Sequence, residues 1–479
     1  MNIISQNFKD VLKNKIKIII SSTLYKYVDV LVDNFSFSTG NNNNYFNFIN
    51  LIDSSFRNYI LSIISSTFEE VDLQLRNSLK RKDRYYINKT NVPRAITTIF
   101  GTVYFKRTLF KSKLSNKYVF LLDKYFNLPK YDHYDSIIKS IAINNTFNTS
   151  QAQAARDISS ITNGLSFFID KEKVFNIPRQ SIYNWIKKWK VPNIVPKSVS
   201  TPETLFVMAD EKYIGSQNTD KDIMIKCFVT FEDVHTVSKN RNMLTNRFVF
   251  STCSKNPWKV FMDTIALRYD FTKIKNIALI GDGGNWIKSG ISELRLNSCN
   301  LVKYYLCEFH FKQAIHNIIA DEQKRNILIR IFNNYSKKQF INATNIILKY
   351  HQERTSTIKQ KLDYIITNYS YIKNMLNFNI GSSMESHISH LIASFFASRP
   401  KGFSTKNIEK YLLLNDYKNN NINIFNLYLK TYNSKHSVKI TEDEFDFTLS
   451  NSSDIDNIPI LKFGHVIPEY KALRNICHN

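Results

Sequence analysis

Residues 277–287 read IALIGDGGNWI. Four apolar residues run straight into Gly-Asp-Gly-Gly, and Trp286 opens the next helical pattern. A short apolar run bounded by glycines predicts a buried strand. Asp282 then stands at the end of that strand, among Gly281, Gly283 and Gly284. Residues without side chains let a phosphate backbone approach closely, so the stretch suits an acid facing a bulky, charged substrate. Taken alone it suits better still an Asp that caps the next helix after a tight turn. It is not a nucleotide-cradling loop, since it has neither the spaced glycines nor the lysine that such loops use.

Outward from this stretch the order of elements becomes specific. LFVMADEKYIG (205–215), IMIKCFVTFE (223–232) and RFVFSTCS (247–254) predict three successive strands. PWKVFMDTIALRYDF (257–271) predicts a helix, NIALIGD (276–282) a fourth strand, and WIKSGISELRL (286–296) another helix. NLVKYYLCEF (300–309) predicts a fifth strand, and a single long helix is expected over 310–332. Three strands followed by alternating helix and strand imply an α/β domain, a mixed sheet with helices on both faces. Residues 320–378 read as nearly all helical, a further helix is expected over about 384–397, and 415–460, rich in Asn, Asp and Ser, are expected to be irregular.

In such a sheet the first and fourth strands can be neighbours, which would bring Asp210 beside Asp282. Two close carboxylates repel unless a cation lies between them, and an oxygen-only site suits Mg²⁺ or Mn²⁺. A two-metal site needs a third acid, and Glu385 opens a helical pattern in SSMESHISH. It reads equally as an acid favoured by a helix N-terminus. Cys307 and His310 in LCEFHF are only half a zinc site. His310 is placed instead beside the carboxylates, as a phosphate or water contact.

The composition points to a polyanion. Lys and Arg number 65 against 40 Asp and Glu, a formal net charge of +25. That excess suits nucleic acid first and a membrane surface second, although an AT-rich genome also inflates Lys. Five cysteines without paired spacing fit a reducing cytoplasm. The first twenty residues mix Lys and Asp into their apolar run, and no signal peptide or membrane-spanning stretch is expected.

The N-terminal half reads as DNA-binding equipment. Residues 1–80 are helical by period. ITTIFGTVYFKRTLFK (96–111) alternates as a β-ribbon with YVFLLD (118–123), turning or bulging at Gly101, its exposed edge carrying Lys106, Arg107 and Lys111. TSQAQAARDISSITNG (149–164) and IPRQSIYNWIKKWK (177–190) resemble the two helices of a helix-turn-helix. Arg179, Gln180, Asn184, Lys187 and Lys188 would then face DNA, and an ordinary amphipathic helix pair is the other reading.

Four blocks carry a family resemblance: ADE at 209–211, GDGGNWI at 281–287, EFHFKQAI at 308–315 and ESHISHLIASFFASRPKGFS at 385–404. With RAITTIFGTVYFKRTLFK and YVFLLDKYFNLP upstream, they resemble, in the same order, the blocks of the ISLre-two insertion-sequence transposases over roughly residues 80–415. The resemblance implies an RNase H-like catalytic domain (204–319 and 380–415) with a helical insertion (320–379). Ahead of it would stand a helical region (1–80), a β-ribbon (81–130) and a helix-turn-helix region (131–190), with a tail after it (416–479). It implies an Asp-Asp-Glu triad of Asp210, Asp282 and Glu385 holding Mg²⁺ or Mn²⁺. It also implies double-stranded DNA as the partner, both element ends and target, bound by a homo-oligomer, with no membrane, in a bacterial cytoplasm at the nucleoid. Arg399 and Lys401 become candidates for contacting flanking DNA, or a solvated helix exit. Cys307 departs from the family pattern, which carries an acid there. Rival readings are a DNA-binding relic without catalysis and an RNase H-like nuclease or resolvase.

Overall fold

The computed structural model describes residues 6–35, 45–128, 130–169, 175–198, 201–217, 221–238, 241–295, 301–350, 355–376, 388–396, 403–405 and 407–436. The chain divides into two compact units. The first comprises Met1–Lys139, Ala155–Ile177 and Tyr432–Asn479; the second, Ser140–Ala154 and Pro178–Thr431.

In the first unit two long helices, Gln6–Phe35 and Tyr45–Asn77, pair with each other. A three-stranded antiparallel sheet follows, of β1 (Tyr85–Thr98), β2 (Gly101–Ser112) and β3 (Tyr118–Phe120). The ribbon starts earlier than its alternating pattern suggests, because the two-residue turn Ile99-Phe100 lets β1 pair with the whole of β2 from Thr98↔Gly101 back to Tyr85↔Ser112. Gly101 has φ +130°, a conformation side-chain-bearing residues rarely adopt, and it lies against Leu61. YVFLLD is strand only to Phe120; Leu121–Tyr125 form a helix whose Leu121 and Leu122 are buried with Val71, Leu75, Val103, Phe105 and Phe110.

This core also holds charge. Asp123 is paired with Arg94 at 2.5 Å and with Arg107. The Arg107 guanidinium lies 3.6 Å from the centre of the Phe120 ring. Burial, and then the neighbouring Arg94, bring the Arg107 pKa down to about 10. The expectation that Arg107 lines the exposed edge is therefore corrected: it points inward, while Lys106 is exposed. The reason is a single carboxylate on the following helix, which the alternation of the strand does not reveal.

The second unit contains a five-stranded mixed sheet. Its strands are β4 (Thr204–Ile214), β5 (Ile223–Phe231), β8 (Phe248–Thr252), β9 (Asn276–Gly281) and β10 (Leu301–Leu306). A hairpin of β6 (Asp233–Ser238) and β7 (Arg241–Thr245), not foreseen in the sequence, joins β5 to β8. The sheet order is β10-β9-β4-β5-β8. β10, β9 and β4 are parallel, and β5 is antiparallel to both β4 and β8. Central position explains why Leu205–Ala209 of β4 and Ile277–Ile280 of β9 are continuously apolar, since both of their faces are covered. Phe228 of β5 stacks on Phe261 at 4.2 Å, beside Trp258 and Trp286. The same core continues through Phe311, Phe332, Phe340, Ile358 and Ile365, so the helices after β10 pack into the body of the unit.

Three expected helical features differ. Residues 286–296 form two short turns, Asn285–Lys288 and Gly290–Glu293. The long helix is broken into Glu308–Ile318 and Glu322–Asn334, because the Asp321 side chain accepts the Lys324 N–H at 2.8 Å and caps a new start. Within the stretch expected to be irregular, 415–460, the end of helix Ile408–Asn419 and helix Ile424–His436 are present, and 437–460 lie outside the described residues. The expected helix near 384–397 is described only from Ile388 to Phe396, its first turn and a half a π-helix.

Helix Ile408–Asn419 closes the β8 edge of the sheet. Val249, Ser251 and Cys253 donate their N–H groups to Asn420 Oδ1 (2.7 Å), Asp416 Oδ2 (2.6 Å) and Glu409 Oε1 (2.8 Å). Side chains thus replace the neighbouring strand that an open edge would recruit. Burial, opposed by the two Ser251 hydrogen bonds, holds the Asp416 carboxyl well above its ordinary pKa. A raised carboxyl pKa means the folded state binds the proton more tightly than the unfolded one. Its charge therefore costs stability as pH rises from about 4 through the folded value. Asp416→Asn keeps an acceptor for the Ser251 N–H, so its melting temperature relative to wild type should climb between pH 4 and pH 8. Asp416→Ala orphans that N–H and should cost about 1–3 kcal/mol. Thermal scans at the two pH values check both; an Asn variant equally destabilised at each would show the carboxylate to be a favourable, ionised partner.

Candidate active site

β4 and β9 run parallel with Met208 level with Ile280. The same offset continued two residues sets Asp210, within β4, level with Asp282, the first residue past β9. The strand adjacency expected from the element order is thus present. Asp210 is buried, and its Oδ1 accepts the Glu211 N–H at 2.7 Å. Asp282 is half-buried, and its Oδ1 accepts the Gly284 N–H at 2.8 Å. The acid thus folds its own turn, but it does not cap the next helix: Asn285–Lys288 starts from Gly284 without a side-chain cap, which corrects the capping reading.

The glycines work differently from the expectation that they clear space for substrate. A Cβ on Gly281 would meet Ile287 Cγ2 at 2.6 Å and the Ala209 carbonyl at 3.2 Å. Gly283 has φ +94°, and a Cβ there would meet Leu306 Cδ1 at 2.9 Å. Both permit close internal packing rather than an open approach. The loop is also clamped from outside. Tyr364 donates to the Asp282 carbonyl at 2.5 Å, and the Tyr304 hydroxyl accepts the Gly283 N–H at 2.8 Å. Burial first, and the Asp282 charge after it, push both phenols up, so they stay protonated.

His310 lies one turn into helix Glu308–Ile318, which starts where β10 ends beside β9. Its Nδ1 is buried without a hydrogen-bond partner among the described residues. Burial alone would lower its pKa. The Cys307 side chain and the charges of Asp210 and Asp282 outweigh burial and raise it. The imidazole therefore shares the electrostatic neighbourhood of both acids.

On the opposite side of β4, Glu211 accepts the Trp286 indole N–H and stands opposite Lys226 across the β4–β5 pair. Lys226 is buried, bonded to the Ser254 carbonyl at 3.1 Å and 5.8 Å from the Trp286 ring. Tyr304, Tyr364, Glu211 and Lys226 were not picked out from the sequence. Each has a role only through a partner 15 or more residues away, so no local motif marks it.

Glu385, Arg399 and Lys401 lie outside the described residues. Ile388–Ala393 packs against β4, and Phe403 bridges to Ser216 just past that strand. Among the described residues no set of three or more His, Cys, Asp or Glu side chains forms a metal site. What is present is two carboxylates, one within β4 and one just past its neighbour β9, a donor set that suits a hard divalent cation. Arg179, Gln180, Asn184, Lys187 and Lys188 all lie on the exposed side of helix Arg179–Lys188, with Ile182 and Ile186 buried behind them. No helix among the described residues is long and apolar enough to cross a membrane.

Fold and site together define a mixed α/β protein with one acid within a strand and another just past the end of its parallel neighbour. The chain belongs to UPF0236, an uncharacterised protein family, whose profile matches residues 43–422. It is similar to UPF0236 proteins of Caldanaerobacter subterraneus subsp. tengcongensis. One is 24% identical over 432 residues, covering 86% of this chain and 87% of the relative. Another is 24% identical over 430 residues, with 86% and 87% covered, and its name joins eleven gene loci of that genome. These names state no activity.

Proposed function

We propose that this protein is a DDE-type transposase that cuts and joins DNA strands at the ends of a mobile element. The observation that carries the reading is the parallel pairing of β4 and β9, whose register sets Asp210 level with Asp282 just past β9, with both charges felt at His310. The sheet supports an RNase H-like reading: its first strand β4 is central, β5 and β8 follow on one side in successive antiparallel pairings, and β9 and β10 lie parallel on the other. The relative whose name joins eleven loci of one genome supports the mobile-element part, since repeated copies are what transposition leaves.

Asp210 and Asp282 would hold Mg²⁺ or Mn²⁺, with Glu385 as the third acid; Glu385 stands three residues before the helix that packs against β4. When bound, such ions activate the attacking oxygen and stabilise the leaving one in an in-line displacement. Tyr304 and Tyr364 would keep the Asp282 loop from shifting under the charge of the DNA. His310, held toward its cationic form, would contact a phosphate oxygen. The exposed residues of helix Arg179–Lys188 would meet DNA, and Lys106 would add a phosphate contact.

The test is nicking and strand transfer on a plasmid carrying the gene's own flanks, with Mg²⁺, Mn²⁺ or EDTA. Metal-dependent products are expected. Binding without cutting under every metal condition would put a DNA-binding protein in place of the transposase. Cleavage of branched or hybrid substrates without joining would put a nuclease there.

A further inference from the structure

Helix Gln6–Phe35 has one apolar face packed on its neighbour and, among the described residues, a second that is exposed. Leu12, Ile16, Ile19, Thr23, Tyr27 and Leu31 recur every three or four residues and are all partly buried. This face packs on helix Tyr45–Asn77, with Tyr27 and Tyr59 ring centres 5.4 Å apart. Diametrically opposite runs a second line: Asn14, Ile18, Ser21, Tyr25, Val28 and Val32. Its spacing alternates three and four, the 3.5-residue period of a coiled-coil seam. Along this seam Ile18 is 42%, Tyr25 55%, Val28 43% and Val32 58% exposed. Ile20 at 39%, Leu24 at 44% and Val30 at 47% are exposed off this line as well, so the helix shows more apolar surface than the scattered exposure of an ordinary one, and the seam is its regularly spaced part.

The flanking charges identify what covers the seam. The helix carries Lys9, Asp10, Lys13, Lys15 and Lys17 in its first half and Lys26, Asp29 and Asp33 in its second, a basic excess followed by an acidic one. A parallel, in-register pair would set lysines against lysines. An antiparallel pair sets Lys15 of each helix against Asp29 of the other. In the same register Ile18 packs on Val28 of the second copy, and Tyr25 covers Ser21. The polar seam positions Asn14 and Ser21 then face larger side chains instead of each other. We propose that the protein self-associates through this outer face of helix Gln6–Phe35, as an antiparallel two-helix seam between two copies of the chain. The inference is independent of the transposase reading, because it rests on the first unit and on no residue of the acid site.

Sedimentation of the full-length chain at micromolar concentration tests it. Wild type should be dimeric. Val28→Asp changes an exposed side chain, so helical content by circular dichroism should hold while the dimer dissociation constant rises 100-fold or more. Lys15→Glu should weaken the dimer about tenfold, and Lys15→Glu with Asp29→Lys should restore it. A monomeric wild type overturns the proposal, as does a dimer indifferent to Val28→Asp. Failure of the double reversal to restore the dimer overturns the antiparallel arrangement. A monomer that binds anionic phospholipid vesicles through Tyr25 and Val28 would give this face to a membrane surface instead.

Discussion

Asp282→Asn should abolish metal-dependent nicking and strand transfer while the protein still folds and still binds DNA. Asparagine keeps an oxygen for the Gly284 N–H, so the turn after β9 survives. Tyr364 and Tyr304 grip backbone atoms of residues 282 and 283, which the substitution leaves in place. What disappears is one negative charge beside Asp210, and that charge is what would hold a divalent cation there. A loss of roughly 1,000-fold or more, corresponding to about 4 kcal/mol of transition-state stabilisation, is expected. Products that persist unchanged in the variant would remove Asp282 from the chemistry and leave it the builder of a turn. Loss of cutting together with loss of the thermal transition would point to folding instead, so a melting curve accompanies the assay.

Asp123→Ala should destabilise the first unit by about 3–5 kcal/mol, read by urea unfolding. Its carboxylate is the shared partner of Arg94 and Arg107, both largely buried. Removing it leaves two guanidiniums close together in a low-dielectric interior, where Arg107 is already depressed by burial and by Arg94. Removing the charges together behaves differently: Arg94→Met, Arg107→Met and Asp123→Leu in one chain should recover most of that loss, because a well-packed apolar replacement has no desolvation to offset. An Asp123→Ala variant as stable as wild type would mean that water reaches the cluster.

Much of the second unit was legible because its signals are local. The apolar runs of β4, β5, β9 and β10 stand out in composition, and the glycines after β9 mark its end. The β6–β7 hairpin was missed since VHTVS and RNMLT are polar, exposed strands stabilised by pairing with each other. Helix Ile408–Asn419 was missed because its Asn and Asp residues suggest loop, yet Asn415, Asp416 and Asn420 are spent on contacts across space. Asn415 Nδ2 donates to the Leu391 carbonyl at 2.7 Å, and Asp416 and Asn420 serve the β8 edge.

The candidate site divides in the same way. Asp210 and Asp282 could be named from sequence, since an acid inside or just after a buried apolar strand is conspicuous anywhere. The sequence by itself determined which elements form and that two acids sit at strand positions able to meet. It also determined the basic excess and the two apolar lines of the first long helix, because period and charge are properties of the chain. Tertiary structure decided the rest: that β9 lies beside β4, that Gly281 and Gly283 are packed rather than open, that Arg107 turns inward to Asp123, and that two distant tyrosines clamp the Asp282 loop. These depend on which side chains arrive from elsewhere in the chain, and free energies of burial and pairing between distant residues leave no mark in a local pattern.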